Sequence, residues 1–505
     1  MLPIDLMYSG ARQWPGAIAA EDGATSLTYR ELVESVEALA SALQQLAPGA
    51  GRRIAVCAPN TLEHLVSMLA ILAAGHVWVP LNPRNGKAET GAIIDATRPV
   101  LAIVDVLCLD RLTPTDVPLV VSRRDGTRSE PSVAGLIAEF RQRSPTSSEP
   151  SQQATQAIKF TSGSTGKPKG VLQSRRSWNA CAAGILDAFH FAEDERFLAA
   201  APITHGTSCF ILPILSRGGR LILLERPKPP DILAAFARHD VTATYLTPTM
   251  IYMLMADAAV AFPKLRHLIY SGAPMRPQQI RAAQNVFGAC LESCYGQAEA
   301  PQIISYMRAP DFADEANLDA AGHPGLGTRI GIMSDDGALL GRGNVGEIVV
   351  RGDLVMSGYL DNQDATAATI IDGWLHTGDL GLVDARGLLY IKGRLREVII
   401  SGGFNIYPAD VEGALGKHPA VHECAVFGVD DPKWGEAVHA AVELNPGHNV
   451  NEEALIGHVK ALLDSVKAPK RIHIVAQLPR SAVGKVLRHE AKAMALRDLA
   501  DIRQA

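Results

Sequence analysis

Residues 158–171 read Ile-Lys-Phe-Thr-Ser-Gly-Ser-Thr-Gly-Lys-Pro-Lys-Gly-Val, and they carry the clearest chemistry in the chain. A strand pattern ends at Phe160. Thr161, Ser162, Gly163, Ser164, Thr165 and Gly166 then supply hydroxyls and flexible backbone. Glycines let successive N–H groups converge on one anion, and Lys167 and Lys169 add positive charge, so the loop suits a polyphosphate. It is not the phosphate loop of the common nucleoside triphosphatases. That loop needs four residues between its first Gly and a Gly-Lys pair, then Ser or Thr; here Gly163 is followed too soon by Gly166, and Pro168 follows Lys167. A flexible hydrophilic loop is the plainer alternative, and the preceding strand and the two lysines weigh against it.

The order Thr-Ser-Gly-Ser-Thr-Gly-Lys-Pro-Lys-Gly closely resembles the signature loop of the adenylate-forming enzymes: acyl-CoA synthetases, firefly luciferase and the adenylation domains of peptide synthetases. Further motifs follow in that family's order over nearly the whole chain, most like the acyl-CoA ligases. The resemblance implies that Gly272, Ala273 and Pro274, in the turn after strand 268–270, lie along the adenine and the acyl pocket. Ser293-Cys294-Tyr295-Gly296-Gln297-Ala298-Glu299 resembles Tyr-Gly-x-Thr-Glu. By that match Tyr295 stacks on adenine, Ser293 lies near its amino group and Gly296 follows. Glu299, with Thr165, then binds Mg²⁺, for which a carboxylate is a natural hard ligand beside phosphates. Ala298 stands where a Thr hydroxyl is usual. Asp379, in Trp374–Gly381, is the expected acceptor of both ribose hydroxyls, and Arg394 a second ribose contact.

The resemblance also places a hinge at Arg396, between an AMP-binding domain over 1–395 and a catalytic lid domain over 397–505. Gly402, Gly403 and Phe404, and Trp434 in Asp431–Glu436, are expected to contact CoA. Lys485, in Pro479–Arg488, is the expected catalytic lysine: an ammonium bridging the substrate carboxylate and the α-phosphate, where charge collects during attack. His205, Thr247, Met250 and Ile304 are the expected acyl-pocket positions. Their neighbourhoods are small or apolar and hold no Arg or Lys, which points to an apolar monocarboxylate, fatty or aromatic.

The implied reaction is ATP-dependent ligation of a carboxylic acid to CoA through an acyl-adenylate. ATP, Mg²⁺ and CoA are the implied cofactors. Loading of a separate acyl carrier protein, luciferase-type oxygenation on the same fold, and non-catalytic binding of acyl-AMP stand as alternatives.

The elements that must position these groups alternate between helix and strand, which argues α/β architecture with largely parallel sheets. Thr28 and Glu31 form a capping box, and Leu32, Val36, Leu39, Ala40, Leu43 and Leu46 continue it as one apolar stripe. Arg53–Cys57 reads as a strand. The apolar run from Leu65 to Leu81 reads as a buried helix (about 62–74) and a buried strand (about 76–80) rather than a membrane span. Residues 144–156, rich in Ser, Pro and Gln, read as a loop or linker. Short β runs over 320–395 suggest a small distorted β unit. The last 110 or so residues read as a separate α+β domain, with strands 398–401, 424–429, 437–444 and 471–475 and helices 409–416, 452–465 and 487–498. The fold class is therefore α/β: a large N-terminal domain of stacked sheets plus the β unit, and a small mobile C-terminal domain.

With 47% apolar and 20% charged residues among 505, the composition is that of a globular protein. A net charge of −5 leaves no basic footprint for nucleic acid. The seven cysteines contain no Cys-x-x-Cys pair and fit reduced thiols in a cytoplasmic protein. The N-terminus lacks a signal-peptide pattern. No stable membrane insertion is expected, and a homodimer is left open.

Overall fold

In the computed structural model, the described residues are 1–23, 25–112, 115–123, 129–146, 151–161, 168–257, 261–463, 465–480 and 486–504, the side chains of 498–504 excepted. They form four sheets. A seven-stranded sheet runs in the order Gly358–Tyr359, Lys169–Ser174, Thr155–Thr161, Val77–Leu81, Arg53–Cys57, Leu101–Val104, Leu119–Val121. A nine-stranded sheet runs His323–Pro324, Ser305–Met307, Leu291–Tyr295, His267–Tyr270, Ala243–Leu246, Arg196–Ala199, Arg220–Leu223, Ile18–Asp22, Thr25–Thr28. Both are parallel at their centres and antiparallel at an edge.

One apolar core joins the two sheets through the helices between them. Helix Leu62–Ala73, apolar but for Glu63, His64 and Ser67, is buried on nearly every side, as so apolar a helix must be, so the run from Leu65 to Leu81 is helix and strand as its composition predicts. Helix Tyr29–Leu46 carries the full capping box at Thr28, worth about 1 kcal/mol. Its stripe is buried through Leu43, whereas Leu46 is largely exposed where the helix ends.

The Ser/Pro/Gln-rich segment, expected as a loop or linker, leads into a strand of the seven-stranded sheet. The chain emerges from it directly into Thr155–Thr161, which pairs in parallel with Val77–Leu81 at Trp78 and Ala157. The β unit is a five-stranded sheet built from Arg329–Met333, Gly346–Arg351, Ile370–Ile371, Trp374–Val383 and Leu389–Arg394.

From Ile399 onward the chain packs cores of its own. They form around a long antiparallel pair, Val421–Asp431 with Gly435–Leu444. The expected strands and helices of this unit are all present, with one addition: Phe404–Ile406 pairs with Ile399–Ser401. Gly402 (φ +58°) and Gly403 (φ +82°) are the two residues between those strands. Two consecutive positive φ angles make the tight hairpin turn that only glycine enters cheaply.

Candidate active site

Parallel strands leave their loops along one edge. Arg196–Ala199, Ala243–Leu246, His267–Tyr270 and Leu291–Tyr295 deliver residues 205–209, 247–250, 271–274 and 295–299 to the same carboxyl edge of the nine-stranded sheet. Such an edge is where open α/β sheets bind ligands. The expected adenine and acyl positions are therefore brought together. Gly272 has φ +88° and is exposed on the edge, as is Pro274. Ala273 is half-buried between them. Ser293 lies one step inside: it is buried and hydrogen-bonded with Tyr270 on the neighbouring strand. Tyr295 ends the strand. Gly296 has no alternative there, because a Cβ would lie 2.4 Å from the backbone N of Gln302.

The β unit meets this edge at Asp379. The carboxylate is buried. Its Oδ2 accepts from Tyr295 Oη at 2.5 Å and Gln297 Nε2 at 2.7 Å, and its Oδ1 faces Arg394 Nε at 2.8 Å. Asp379 and Arg394 are register partners on adjacent strands, which explains why two residues fifteen apart in the chain act as a pair. Burial and the Asp379 charge hold the Tyr295 phenol well above its ordinary range. Gln297 also donates to Thr377 O at 3.0 Å, locking the loop 295–299 to the β unit.

Glu299 is held differently. Its Oε1 accepts from Tyr359 Oη at 2.9 Å, and its backbone carbonyl accepts from Met356 N. Lys169 Nζ lies over the Tyr359 ring, 4.9 Å from its centre. Thr161 and Lys169 are themselves register partners, so the phosphate segment is the connection of an antiparallel hairpin whose mouth opens beside Glu299. Ser162, Gly163, Ser164, Thr165, Gly166 and Lys167 lie outside the described residues. The Glu299 Oε2 is unengaged among the described residues. No cluster of three His, Cys, Asp or Glu side chains among them could hold a metal alone. One carboxylate oxygen beside phosphate ligands is a set that fits Mg²⁺.

His205 sits on the turn before helix Ser208–Ser216. It keeps an accessible face although protein crowds it, and burial and the charges of Lys159 and Arg84 push its imidazole down to about 4. Thr247 and Met250 are half-buried at the edge. Ile304 is fully buried in the main core; its backbone N–H bonds Tyr295 O, so it supports the edge rather than facing open space.

Lys159 alters the electrostatics expected here. It is 8% exposed and projects against residues 205–208, so an amine whose pKa burial lowers stands behind the expected acyl positions. Lys159 and Tyr359 carry no signal as site residues in the sequence. Gln297 has one, its place inside the Tyr295–Glu299 motif.

Arg396 is exposed in a short 3₁₀ turn between the β unit and the C-terminal sheet. Gly402, Gly403 and Phe404 are exposed at their hairpin tip, and Gly402 packs on the Trp434 ring and donates to Trp434 O at 2.7 Å. Trp434 is itself exposed, under Lys433 and Lys470. The expected CoA positions thus form one patch. Lys485 lies outside the described residues. Arg480, before it, pairs with Glu423 and Glu443, and the charges of Glu423 and Arg480 reach Tyr252 of the large domain.

A family model described as AMP-binding enzyme matches residues 8–360, and one described as AMP-binding enzyme C-terminal domain matches 410–485. The chain is 30% identical to a medium/long-chain-fatty-acid–CoA ligase of Mycobacterium tuberculosis, covering 92% of this chain and 85% of that protein. It is 33% identical to a feruloyl-CoA synthase of an Amycolatopsis species, covering 95% and 96%. The solved structure of an amide bond synthetase from Marinactinospora thermotolerans superposes with a TM-score of 0.88 at 29% identity, covering 97% of this chain and 99% of that one.

Proposed function

We propose that this chain, which belongs to the AMP-binding enzyme family, is an AMP-forming acid–thiol ligase that turns a carboxylic acid into its CoA thioester. ATP and CoA are its co-substrates. The observation that carries this reading is the meeting of Tyr295, Gln297 and Arg394 on the single carboxylate of Asp379, beside a hairpin mouth flanked by Glu299 and Lys169.

In the first half-reaction the acid's carboxylate attacks the α-phosphorus of ATP, an O–P bond forms, and pyrophosphate leaves with the electrons of the bond broken. Acid and triphosphate repel each other, so the site must neutralise charge and fix geometry. Asp379 accepts the ribose diol, with Arg394 behind it. Tyr295 offers its ring to adenine along Gly272–Pro274, and Ser293 braces the strand. The hairpin from Thr161 through Ser162, Gly163, Ser164, Thr165, Gly166 and Lys167 to Lys169 cradles the phosphates, and Lys485 bridges the two reacting anions. Mg²⁺, held by Glu299 with Thr165, supplies further charge neutralisation when bound.

In the second half-reaction the thiol sulfur of CoA attacks the acyl carbonyl, a C–S bond forms, and AMP departs with the former carboxylate oxygen. The domain that follows Arg396 (397–505) turns against the one before it (1–395), withdrawing Lys485 and bringing Gly402, Gly403, Phe404 and Trp434 to the thiol. His205, Thr247 and Met250 border the acid, whose body is apolar. Neutral His205 adds no charge of its own there. Among the described residues no helix is long and apolar enough to cross a membrane; a cytoplasmic site of action is part of the proposal.

The test is release of AMP and pyrophosphate from ATP–Mg²⁺ across aliphatic, aromatic and dicarboxylic acids, with and without CoA. Acid- and CoA-dependent AMP formation is expected. Pyrophosphate exchange with no response to CoA would assign the acyl group to a carrier protein instead, and no response to any acid would leave a binding protein.

A further inference from the structure

Strands of both large sheets end around one pocket. Residues 59–60 follow Arg53–Cys57, 83–84 follow Val77–Leu81, 200–202 follow Arg196–Ala199 and 225–227 follow Arg220–Leu223. Arg111 joins them from the short helix Leu109–Leu112, after Leu101–Val104. These strands run parallel within their sheets, so the pocket lies between two carboxyl edges, where α/β sheets bind ligands. Its volume is about 410 Å³, that of a small-molecule site.

The charged lining groups are Arg84, Arg111, Arg226 and Glu225. Glu225 is already engaged: both its oxygens accept from Arg123, which also holds the buried Asp105. Arg226 is exposed and enters no ion pair among the described residues. Arg111 is half-buried, and its Nη1, shut off from water, has no hydrogen-bond partner among the described residues. A cationic nitrogen without water or an acceptor is under-compensated. Three guanidiniums around one engaged carboxylate leave the pocket positive, a field that gathers anions.

One turn joins this pocket to the acid. Pro202, in its wall, accepts from His205 N at 3.2 Å, and His205 borders the acid; the Arg84 charge reaches the same imidazole. The phosphates of ATP belong to the hairpin of Thr161 and Lys169. The remaining phosphorylated co-substrate is CoA, with a 5′-diphosphate and a 3′-phosphate at the end away from its thiol. Guanidiniums suit phosphate oxygens because their planar fork offers paired donors.

We infer that this pocket is a phosphate subsite for CoA built wholly on the large domain, with Arg111 and Arg226, beside Arg84, taking the nucleotide phosphates while the pantetheine arm follows the turn 202–205 to the acyl carbonyl. This deepens the ligase reading and rests on it. It divides CoA between the domains. Gly402, Gly403, Phe404 and Trp434 serve the arm and arrive by rotation, whereas the phosphate anchors stand in place beforehand. CoA therefore binds without acid or acyl-adenylate.

The experiment has two arms, each using CoA, dephospho-CoA and pantetheine. Calorimetric titration into enzyme saturated with AMP, with no acid present, is expected to show CoA binding more tightly than pantetheine. The ratio of kcat/KM values for thioester formation is expected to favour CoA as well. Arg226→Ala and Arg111→Met are each expected to lower both preferences about 10-fold or more, the usual loss for a hydrogen bond to a charged group. Dephospho-CoA tells whether the 3′-phosphate or the diphosphate occupies the pocket. Preferences unchanged in the two folded variants overturn the inference, as does an intact enzyme that takes pantetheine as readily as CoA. Failure of every thiol to give a thioester overturns the ligase reading instead. The titration then still decides the pocket: CoA binding weakened by both variants keeps it, and absent or unaltered CoA binding removes it.

Discussion

Tyr295 Oη donates to Asp379 Oδ2 at 2.5 Å, across the junction between the nine-stranded sheet and the β unit. The carboxylate proposed for the ribose is therefore already engaged, by a phenol and an amide on one oxygen and a guanidinium on the other. A bound ribose diol must share those oxygens, and Tyr295 must turn its hydroxyl aside to present its ring.

Asp379→Asn removes the charge that Arg394 faces and one acceptor of the diol. A hydrogen bond to a charged group is worth about 1.5–3 kcal/mol, so KM for ATP is expected to rise about 10- to 100-fold. Tyr295→Phe keeps the ring and leaves Oδ2 to Gln297 alone, so its KM is expected to stay within about threefold. Steady-state kinetics in ATP at saturating acid measure both. Equal losses in the two variants would mean that the phenol, not the carboxylate, holds the nucleotide.

Glu299 is fixed on one side only, by Tyr359. Glu299→Gln keeps that bond and loses the charge suited to a hard cation. Adenylation is expected to slow about 100-fold, as for loss of a group that stabilises charge in the transition state, with part of the loss recovered at high Mg²⁺. Tyr359→Phe is expected to be milder, because Glu299 keeps its backbone anchor to Met356. Titration of pyrophosphate exchange with Mg²⁺ separates the cases; a Gln variant with unaltered Mg²⁺ dependence removes Glu299 from the metal.

The pieces of the site that were legible in the sequence are those held in local motifs. Tyr295, Gly296 and Glu299 lie within five consecutive positions, and Asp379 and Arg394 sit on strands with clear flanks. What could not be read are partners from afar. Tyr359 reaches Glu299 from sixty residues away. Lys159 looks like the polar member of an alternating strand until the turn at 205–208 folds over it. The Ser/Pro/Gln-rich segment reads as a break because composition reports local solvation, whereas the next strand's return to the first sheet is a tertiary choice. Strand Phe404–Ile406 is too short for any periodicity to register.

Stability should fall on mild acidification. Burial pushes His64, His205 and His439 down to about 4 from an ordinary 6.5. Between those values the unfolded chain binds more protons than the folded one, so each histidine removes stability as pH drops through that window. Glu412 acts in the opposite sense: burial raises it to about 7, so the folded state holds its proton. Three against one leaves a net loss. The thermal midpoint is expected to decline steadily from pH 6.5 toward 4; a flat profile would show that these imidazoles ionise freely in the folded protein.

Arg276, just before helix Pro277–Phe287, extends from the large domain into the C-terminal unit, where its Nη2 lies 3.3 Å from Cys424 Sγ. Gly416 makes the seat: a Cβ there would stand 2.3 Å from Nη1. Glu423, and Glu412 once it has released its proton, set negative charge around the guanidinium. The same face of the C-terminal unit carries Arg480, in the motif that leads to Lys485, while the hairpin tip at Phe404 stays exposed. This arrangement, with the expected CoA patch outward, suits the first half-reaction. Arg276→Ala should therefore loosen the first arrangement and not the second. Loss of one bond to a charged group shifts such an equilibrium about 10-fold or more. Acid-dependent pyrophosphate exchange is expected to drop by that factor, while thioester formation from supplied acyl-adenylate and CoA stays within about twofold. Gly416→Ala, which displaces the same guanidinium from the other side, should reproduce the split. Equal loss in both half-reactions would show that Arg276 merely holds the fold.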